Sequence, residues 1–213
     1  MAFYIAYLAL SIVHIWSCGK DNQKLRRITK VFLMPCLALV YFLAKGEIIW
    51  VYFALLFGWI GDIVLLKPQE YREKFLGSCL FAVGHLFYLF STLLTIRNYP
   101  VKAWWAIPVL AGAAVGFAVY QKNKEPIIQK MRTSCFGYFL LLGAMVGLSV
   151  VCATFGLPQM YFRAFGYVLF LVSDAVLVTE WFTVGDPHPK SDVIVMVTYC
   201  LAQALIVLSF LVG

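Results

Sequence analysis

Two aspartates interrupt apolar stretches of the chain in similar settings. Asp62 follows Gly61 and precedes Ile-Val-Leu-Leu, and Asp174 follows Ser173 and precedes Ala-Val-Leu-Val. A carboxylate in a membrane-spanning stretch costs roughly 2.5–3.5 kcal/mol on insertion scales, so such a residue usually marks a functional site. Two carboxyl groups in one low-dielectric site suit acid–base chemistry, because one can hold its proton while the other stays ionised. The pair therefore predicts a site with a proton donor and a negative charge.

Three other interpretations of these residues remain open. A hydrogen bond between two helices needs polar side chains without any chemistry. A proton-coupled transporter of a small molecule or lipid also places paired acids at a repeat interface. A metal site built from Asp62, His85 and Asp174 is chemically possible, but no H-x-x-x-H or E-x-x-H spacing accompanies them. We therefore predict neither a metal nor a cofactor.

The composition places these residues in a membrane protein. Of 213 residues, 63% are hydrophobic and only 13% are charged, whereas a soluble domain is about a quarter charged. The mean hydropathy is +0.87. The formal net charge of +7 comes from residues between the apolar segments, a distribution that sets topology and does not indicate a nucleic-acid partner. The six cysteines form no C-x-x-C pair, so we expect neither a disulfide framework nor a zinc site.

Eight segments are long and apolar enough to approach the 20 residues of a membrane-spanning helix. We predict an all-α membrane protein, a bundle of eight transmembrane helices in one domain over residues 1–213. The first segment has no basic residue before it and no cleavage signal, so we expect a retained helix and not a signal peptide. The predicted spans are 2–18, 29–45, 47–66, 77–96, 102–120, 133–155, 159–182 and 192–212.

The basic residues predict how the bundle is oriented. Thirteen of the seventeen lysines and arginines adjoin the connections after the first, third, fifth and seventh spans. The opposite side holds only Lys45, Arg97, Lys102 and Arg163. Because cytoplasmic loops are enriched in Lys and Arg, both termini are predicted to be non-cytoplasmic. The membrane would be the cytoplasmic membrane of a bacterium or the endoplasmic reticulum of a eukaryote.

This orientation brings the polar side chains to similar depths. Asp62 lies about 7.5 Å of helix rise from the inner end of its span, and Asp174 lies about 12 Å from its own. His85, Tyr199 and Gln203 fall in the same cytoplasmic half. The two aspartate motifs are 112 residues apart, which predicts two parallel four-helix repeats related by an axis along the membrane normal.

In its motifs the chain resembles the lysoplasmalogenase-like (YhhN-like) family of membrane hydrolases. The motifs that match, in family order, are Thr29-Lys30 with Met34-Pro35, Gly61-Asp62, Gly84-His85-Leu86-Phe87-Tyr88, Ser173-Asp174 and Tyr199-Cys200-Leu201-Ala202-Gln203. The resemblance implies an enzyme that cleaves the vinyl ether bond of lysoplasmalogens with a choline or ethanolamine head group. The products would be a fatty aldehyde and a glycerophospho-head group. One departure is Asp192, at a position where the family often has a basic residue.

Vinyl ether cleavage matches the chemistry that paired carboxyl groups offer. Protonation of the outer alkene carbon gives an oxocarbenium ion, which water captures, and glycosidases meet a similar demand with two carboxyl groups. We predict that Asp62 and Asp174 act as this pair and leave open which one is the acid. His85 is predicted to orient a carboxyl group or to act as a base toward water, although a histidine that only joins helices is an alternative.

The remaining predicted site residues would bind the substrate, a lysophospholipid that enters from the bilayer. Lys30 suits a phosphate, but a lysine near an interface also serves as a topology anchor. Tyr199 and Gln203 lie four apart on one helix face and would bond the carboxylates or glycerol oxygens, unless they only join helices. The resemblance adds Tyr88 and Ser173 to this set. Aromatic side chains are expected to receive the alkenyl chain, among them Phe53, Phe57, Phe81 and Phe87.

Overall fold

The fold is a bundle of α-helices, seen in a computed structural model that describes residues 2–66, 71–125, 127–182 and 189–211. Within these ranges the chain forms eight helices and no strand. A short 3₁₀ turn, Ala103–Trp105, precedes the fifth helix. The helices are α1 Ala2–Gly19, α2 Gln23–Leu43, α3 Ile49–Val64, α4 Tyr71–Ile96, α5 Ala106–Asn123, α6 Gln129–Ala153, α7 Gln159–Phe182 and α8 Pro189–Leu208.

Each predicted span coincides with one helix, but the even-numbered helices begin earlier than predicted. Helix α2 begins at Gln23 and not at residue 29, and α4 begins at Tyr71 and not at residue 77. Hydropathy detects only the apolar part of a helix, whereas polar residues continue the helix outward. In α2 this first turn is capped by the Asn22 side chain, which accepts a hydrogen bond from the Leu25 N–H at 3.1 Å.

The helices identify an integral multi-pass membrane protein. Five of them, counted within the described residues, are long and apolar enough to cross a bilayer: α4, α5 with its preceding turn, α6, α7 and α8. Helices α1 and α3 are apolar but shorter. Helix α2 carries Lys24, Arg26, Arg27 and Lys30 near its start, which lowers the hydropathy of that part of the helix.

Consecutive helices pack against each other in both halves of the chain, and α1 closes the bundle against α8. The closest approach is between α5 and α6. A Cβ atom placed on Gly112 would lie 2.2 Å from the backbone oxygen of Gly143, and the reverse contact is equally short. Glycine is therefore required at this crossing, as is common between membrane helices. Helix α6 in turn packs against α4 and α7, where the polar residues lie.

Polar contacts place several helix ends together. The Arg26 guanidinium at the start of α2 binds the Asp192 carboxylate at the start of α8 through two hydrogen bonds of 2.6 and 2.8 Å. Lys74 near the start of α4 donates to the backbone oxygen of Trp181 near the end of α7, at 2.9 Å. We call this side of the bundle the basic end. It contains the helix ends at Gly19, Gln23, Val64, Tyr71, Asn123, Gln129, Phe182 and Pro189.

Part of the predicted connections lies outside the described residues. The predicted spans leave a polar connector at 67–76 and a turn-rich connector at 183–191. Of these, residues 67–70 and 183–188 are outside the described ranges. The remaining residues of both connectors are helical, because α4 begins at Tyr71 and α8 begins at Pro189.

Candidate active site

Asp62 is buried near the basic end of α3, with 2% of its surface exposed. It accepts a hydrogen bond from the Tyr199 hydroxyl of α8 at 2.6 Å. Its other carboxylate oxygen lies 3.6 Å from the Lys30 Nζ of α2. Three helices thus meet at one carboxylate. The cation and the hydrogen-bond donor both favour the ionised form of this carboxyl group, whereas its burial opposes that form.

A proline in α2 fixes how that helix meets α3. Pro35 has no N–H, so the backbone oxygen of Val31, four residues earlier, lacks its usual donor within the helix. The indole N–H of Trp59 from α3 donates to this oxygen at 2.8 Å. Val31 adjoins Lys30, and Trp59 precedes Asp62 by three residues. The bond therefore holds the two helices in the register that brings Lys30 to Asp62.

Asp174 is half-buried in α7 and is bonded differently. It accepts a hydrogen bond from the Tyr138 hydroxyl of α6 at 2.5 Å. No lysine or arginine forms an ion pair with it within the described residues. It borders a small cavity of about 20 Å³, shared with Tyr138, Ser78 and Cys135, a volume that suffices for one water molecule. Among the described residues, Asp62 therefore has a cationic partner and Asp174 has none.

Aromatic rings separate the two aspartates. Phe81 of α4 borders the cavity beside Asp174, and its ring centre lies 6.1 Å from that of Tyr199. Phe170 of α7 lies 5.5 Å from Tyr199, ring centre to ring centre. Contacts among these side chains therefore link the two aspartates across an apolar partition.

His85 lies inside this aromatic partition. Its ring is 4.4 Å from the Phe170 ring in an edge-on arrangement, and the rings of Tyr138 and Tyr167 lie within 6 Å. The imidazole is 2% exposed, and neither ring nitrogen has a hydrogen-bond partner among the described residues. The buried hydroxyl of Tyr167 is also unpaired in this part of the chain. Buried polar atoms are nearly always bonded, so these three atoms mark a place suited to a polar ligand or water.

The other predicted residues lie around this centre with different contacts. Gln203 accepts a hydrogen bond from the Tyr88 hydroxyl at 3.1 Å, so these two side chains form one α4–α8 contact. Gln203 is one turn beyond Tyr199 and close to Gly58 of α3, on the Asp62 side. Ser173 donates to the backbone oxygen of Val195 at 3.0 Å. Its observed contact therefore joins α7 to α8.

Three residues that sequence reasoning missed take part in the site. Tyr138 holds Asp174, and Tyr167 and Phe170 enclose His85. Their signal was weak, because the chain has 12 tyrosines and 18 phenylalanines. For Tyr138 one signal existed. A tyrosine in an apolar helix needs a partner for its hydroxyl, and the next helix contains Asp174, whose carboxyl group can accept a hydrogen bond.

The described residues contain no group of three or more His, Cys, Asp or Glu side chains positioned to hold a metal ion. All six cysteines are free thiols. The chemical resources of the site are thus two carboxyl groups, a lysine, tyrosine hydroxyls and an imidazole. Such groups can donate a proton, stabilise a developing cation and orient water.

Together, the fold and the site define an integral membrane protein with two aspartates, one buried and one half-buried, inside a helical bundle. Residues 25–210 match the model of the YhhN family, and the chain belongs to that family.

Similar curated proteins carry the name lysoplasmalogenase. Human lysoplasmalogenase TMEM86B is 28% identical over 152 residues, which cover 71% of this chain and 59% of the relative. Mouse TMEM86B is 30% identical over 182 residues, covering 83% and 72%. Bovine lysoplasmalogenase TMEM86A is 29% identical over 166 residues, covering 75% and 64%. The chain thus spans less than two thirds of the length of the human and bovine relatives. No solved structure matches the chain.

Proposed function

We propose that this protein is a membrane hydrolase that cleaves the vinyl ether bond of lysoplasmalogens. The observation that carries the proposal is the pair of intramembrane aspartates, Asp62 and Asp174, each hydrogen-bonded to a tyrosine of another helix. Membership of the YhhN family and the names of its relatives support the substrate class. The reaction would consume one water and release a fatty aldehyde and a glycerophospho-head group.

Within this proposal the two aspartates take different roles. Asp62 supplies the negative charge, because the ammonium group of Lys30 stabilises its carboxylate. Asp174 supplies the proton, because it accepts from the neutral Tyr138, and a half-buried carboxyl group with no cationic partner among the described residues favours its uncharged form. This division matches the requirement of glycosidases for one protonated and one ionised group.

The proposed reaction proceeds through a cation that Asp62 stabilises. The Asp174 proton forms the new C–H bond at the outer alkene carbon, using the π electrons of the double bond. The adjacent carbon becomes part of an oxocarbenium ion. Water then bonds to that carbon and loses a proton to the site, where Asp174 and His85 are the available bases. The hemiacetal collapses by breaking the bond to the glycerol oxygen, which takes a proton as the aldehyde leaves.

Lys30 serves the lipid head group as well as Asp62 in this scheme. An ammonium group has three N–H donors, so one contact with Asp62 leaves donors for a phosphate. Gln203 and Tyr88 lie on the same side of the partition as Asp62, where glycerol oxygens would be bound.

The test is aldehyde release from a lysoplasmalogen by the purified protein. We expect Asp62→Asn and Asp174→Asn each to lower the rate at least ~100-fold, since acid–base groups contribute about that much or more. Asp21→Asn is the matched control, because Asp21 is exposed and its side chain, within the described residues, hydrogen-bonds to Gln23. Full activity in either site variant would contradict the proposal.

We also propose a topology in which all eight helices cross the membrane as two parallel four-helix repeats. The start of α1 and the end of α8 would be non-cytoplasmic, and the aspartates would lie in the cytoplasmic half. The concentration of lysine and arginine at the basic end supports this orientation. Labelling of single cysteines with a membrane-impermeant reagent tests it: Lys20→Cys should react only from the cytoplasmic side and Lys102→Cys only from the opposite side.

A further inference from the structure

A groove of about 400 Å³ runs along the surface of the bundle between α2 and α3. Its α2 wall consists of Met34, Pro35 and Ala38, and its α3 wall consists of side chains between Ile49 and Trp59. The lining is almost entirely apolar, with one tyrosine. Such a surface suits a hydrocarbon ligand and offers almost no hydrogen bonds to a polar one.

The groove opens sideways toward the hydrocarbon region of the bilayer. Ile49, Phe53 and Leu56 on its outer rim are exposed side chains, whereas Met34 and Leu55 on its inner wall are buried. A lipid chain can therefore enter from the side, without passing through either end of the bundle.

The groove ends one helical turn short of the Lys30–Asp62 ion pair. Met34 lies one helical turn beyond Lys30 on α2, and Trp59 lies one turn before Asp62 on α3. The hydrogen bond from Trp59 to Val31 closes the groove at this level. Along the same two helices, the apolar lining is thus followed by the charged pair. A lipid has the same order, with an apolar chain followed by a charged head group.

We propose that this groove holds the single hydrocarbon chain of the lysolipid substrate, with the alkene end directed past Trp59 toward the carboxyl pair. The inference deepens the proposed function and rests on it for the identity of the substrate. From Trp59 to Ile49 the helix rises about 15 Å, close to the half-thickness of roughly 15 Å of the hydrocarbon core. A chain whose head end lies at Trp59 therefore has groove across one leaflet.

The groove contributes position, not hydrophobic transfer energy. The substrate comes from a bilayer that is as apolar as the groove, so moving the chain between them gains little. Fixing the chain directs the vinyl ether toward the carboxyl pair, and correct placement of a reacting group carries a large part of catalysis. A single groove between two adjacent helices matches a lipid with one hydrocarbon chain.

Filling the groove tests the proposal through chain length. Ala38→Phe puts a ring into the groove, and we expect kcat/KM for a long-chain lysoplasmalogen to fall about tenfold or more, because a misplaced chain misplaces the alkene. A substrate whose chain ends before Ala38 should keep its rate. Ala114→Phe is the matched control, since Ala114 is exposed on α5. Equal losses for long and short chains would overturn the assignment.

A photolabelling experiment decides the question without turnover. The probe is a saturated 1-O-alkyl lysophosphatidylcholine with a diazirine on its chain, and the comparison is a two-chain phosphatidylcholine with the same group. We expect the single-chain probe to label residues 34–59, to be displaced by unlabelled lysolipid, and to be lost in Ala38→Phe. Equal labelling by both lipids, or labelling elsewhere, overturns the groove. Selective labelling without aldehyde release would instead retain the groove and reject the hydrolase.

Discussion

Lys30 and Asp62, on neighbouring helices, form an ion pair of 3.6 Å within the apolar bundle. The side chains are 14% and 3% exposed, so neither charge is well hydrated. Removing one member of such a pair costs roughly 3–5 kcal/mol, because the other is left as an uncompensated buried charge. The same ion pair therefore stabilises the contact between α2 and α3 and supports the negative charge of Asp62, which the proposed reaction needs.

The first prediction concerns this linkage. Lys30→Met should lower the melting temperature in detergent and abolish aldehyde release, whereas Lys30→Arg keeps the charge and should retain part of both. Adding Asp62→Asn to Lys30→Met removes the second charge as well. The double variant should regain most of the stability but none of the activity, and thermal unfolding beside the aldehyde assay measures both. A double variant no more stable than Lys30→Met would contradict the buried ion pair.

The second prediction separates the roles of the two aspartates. Tyr199→Phe removes a hydrogen bond to a charged acceptor, worth about 1.5–3 kcal/mol, so the rate should fall roughly 10- to 150-fold. Tyr138→Phe removes a bond to a neutral carboxyl group, worth about 0.5–1.5 kcal/mol, so the loss should be roughly 2- to 10-fold. Tyr120→Phe, outside the site, is the control. The reverse order of the two losses would exchange the roles of Asp62 and Asp174.

The sequence was sufficient to predict the helices, because each needs a long apolar run that is visible without a structure. It also singled out Asp62, Asp174 and His85, because charge in an apolar run is rare. The sequence did not predict which side chains contact the two aspartates. Their flanking residues are similar, but Asp62 contacts Lys30 and Tyr199, whereas Asp174 contacts Tyr138.

These differences depend on helix rotation and register, which contacts such as that between Trp59 and Val31 determine. Side-chain packing between helices leaves only a weak trace in the apolar pattern of each helix. Asp192 illustrates the same limit: a departure from the family pattern in sequence is, in the structure, the partner of Arg26.

The third prediction uses two glycines of α3. A Cβ atom on Gly61 would lie 3.1 Å from the ring of Phe81, tighter than an ordinary contact, whereas one on Gly58 has its nearest neighbour at 3.9 Å. Gly61→Ala should therefore displace the ring that separates the aspartates and reduce aldehyde release. Gly58→Ala should leave the rate unchanged and raise stability by about 0.5–1 kcal/mol, since alanine favours the helix.

A second substitution shows whether the ring is responsible. Phe81→Leu removes the ring that the alanine Cβ would contact. Gly61→Ala should therefore lower the rate less in a Phe81→Leu background than in the wild type. If Gly61→Ala were as active as Gly58→Ala, the position of Phe81 would be irrelevant to turnover.

The last prediction concerns Arg163, far from the basic end and 1% exposed. Its guanidinium donates to the Thr92 and Ser209 hydroxyls, both at 2.8 Å, and lies 3.6 Å above the ring of Phe210. No carboxylate pairs with it among the described residues. Within the described part of the chain, neutral groups therefore stabilise this charge.

Because the hydroxyls stabilise the charge, removing them should cost more than removing the arginine. In Arg163→Met, Thr92 and Ser209 keep their bonds to the backbone oxygens of Tyr88 and Ile206, and a buried charge is replaced by an apolar chain, a change that is often tolerated. Thr92→Val with Ser209→Ala leaves the charge in place and should cost roughly 1.5–3 kcal/mol per lost bond. Thermal unfolding of both variants measures the difference. A larger loss of stability in Arg163→Met would show that the guanidinium itself stabilises the bundle. A larger loss in the double variant would show that the buried charge destabilises the bundle and that the two hydroxyls offset this effect.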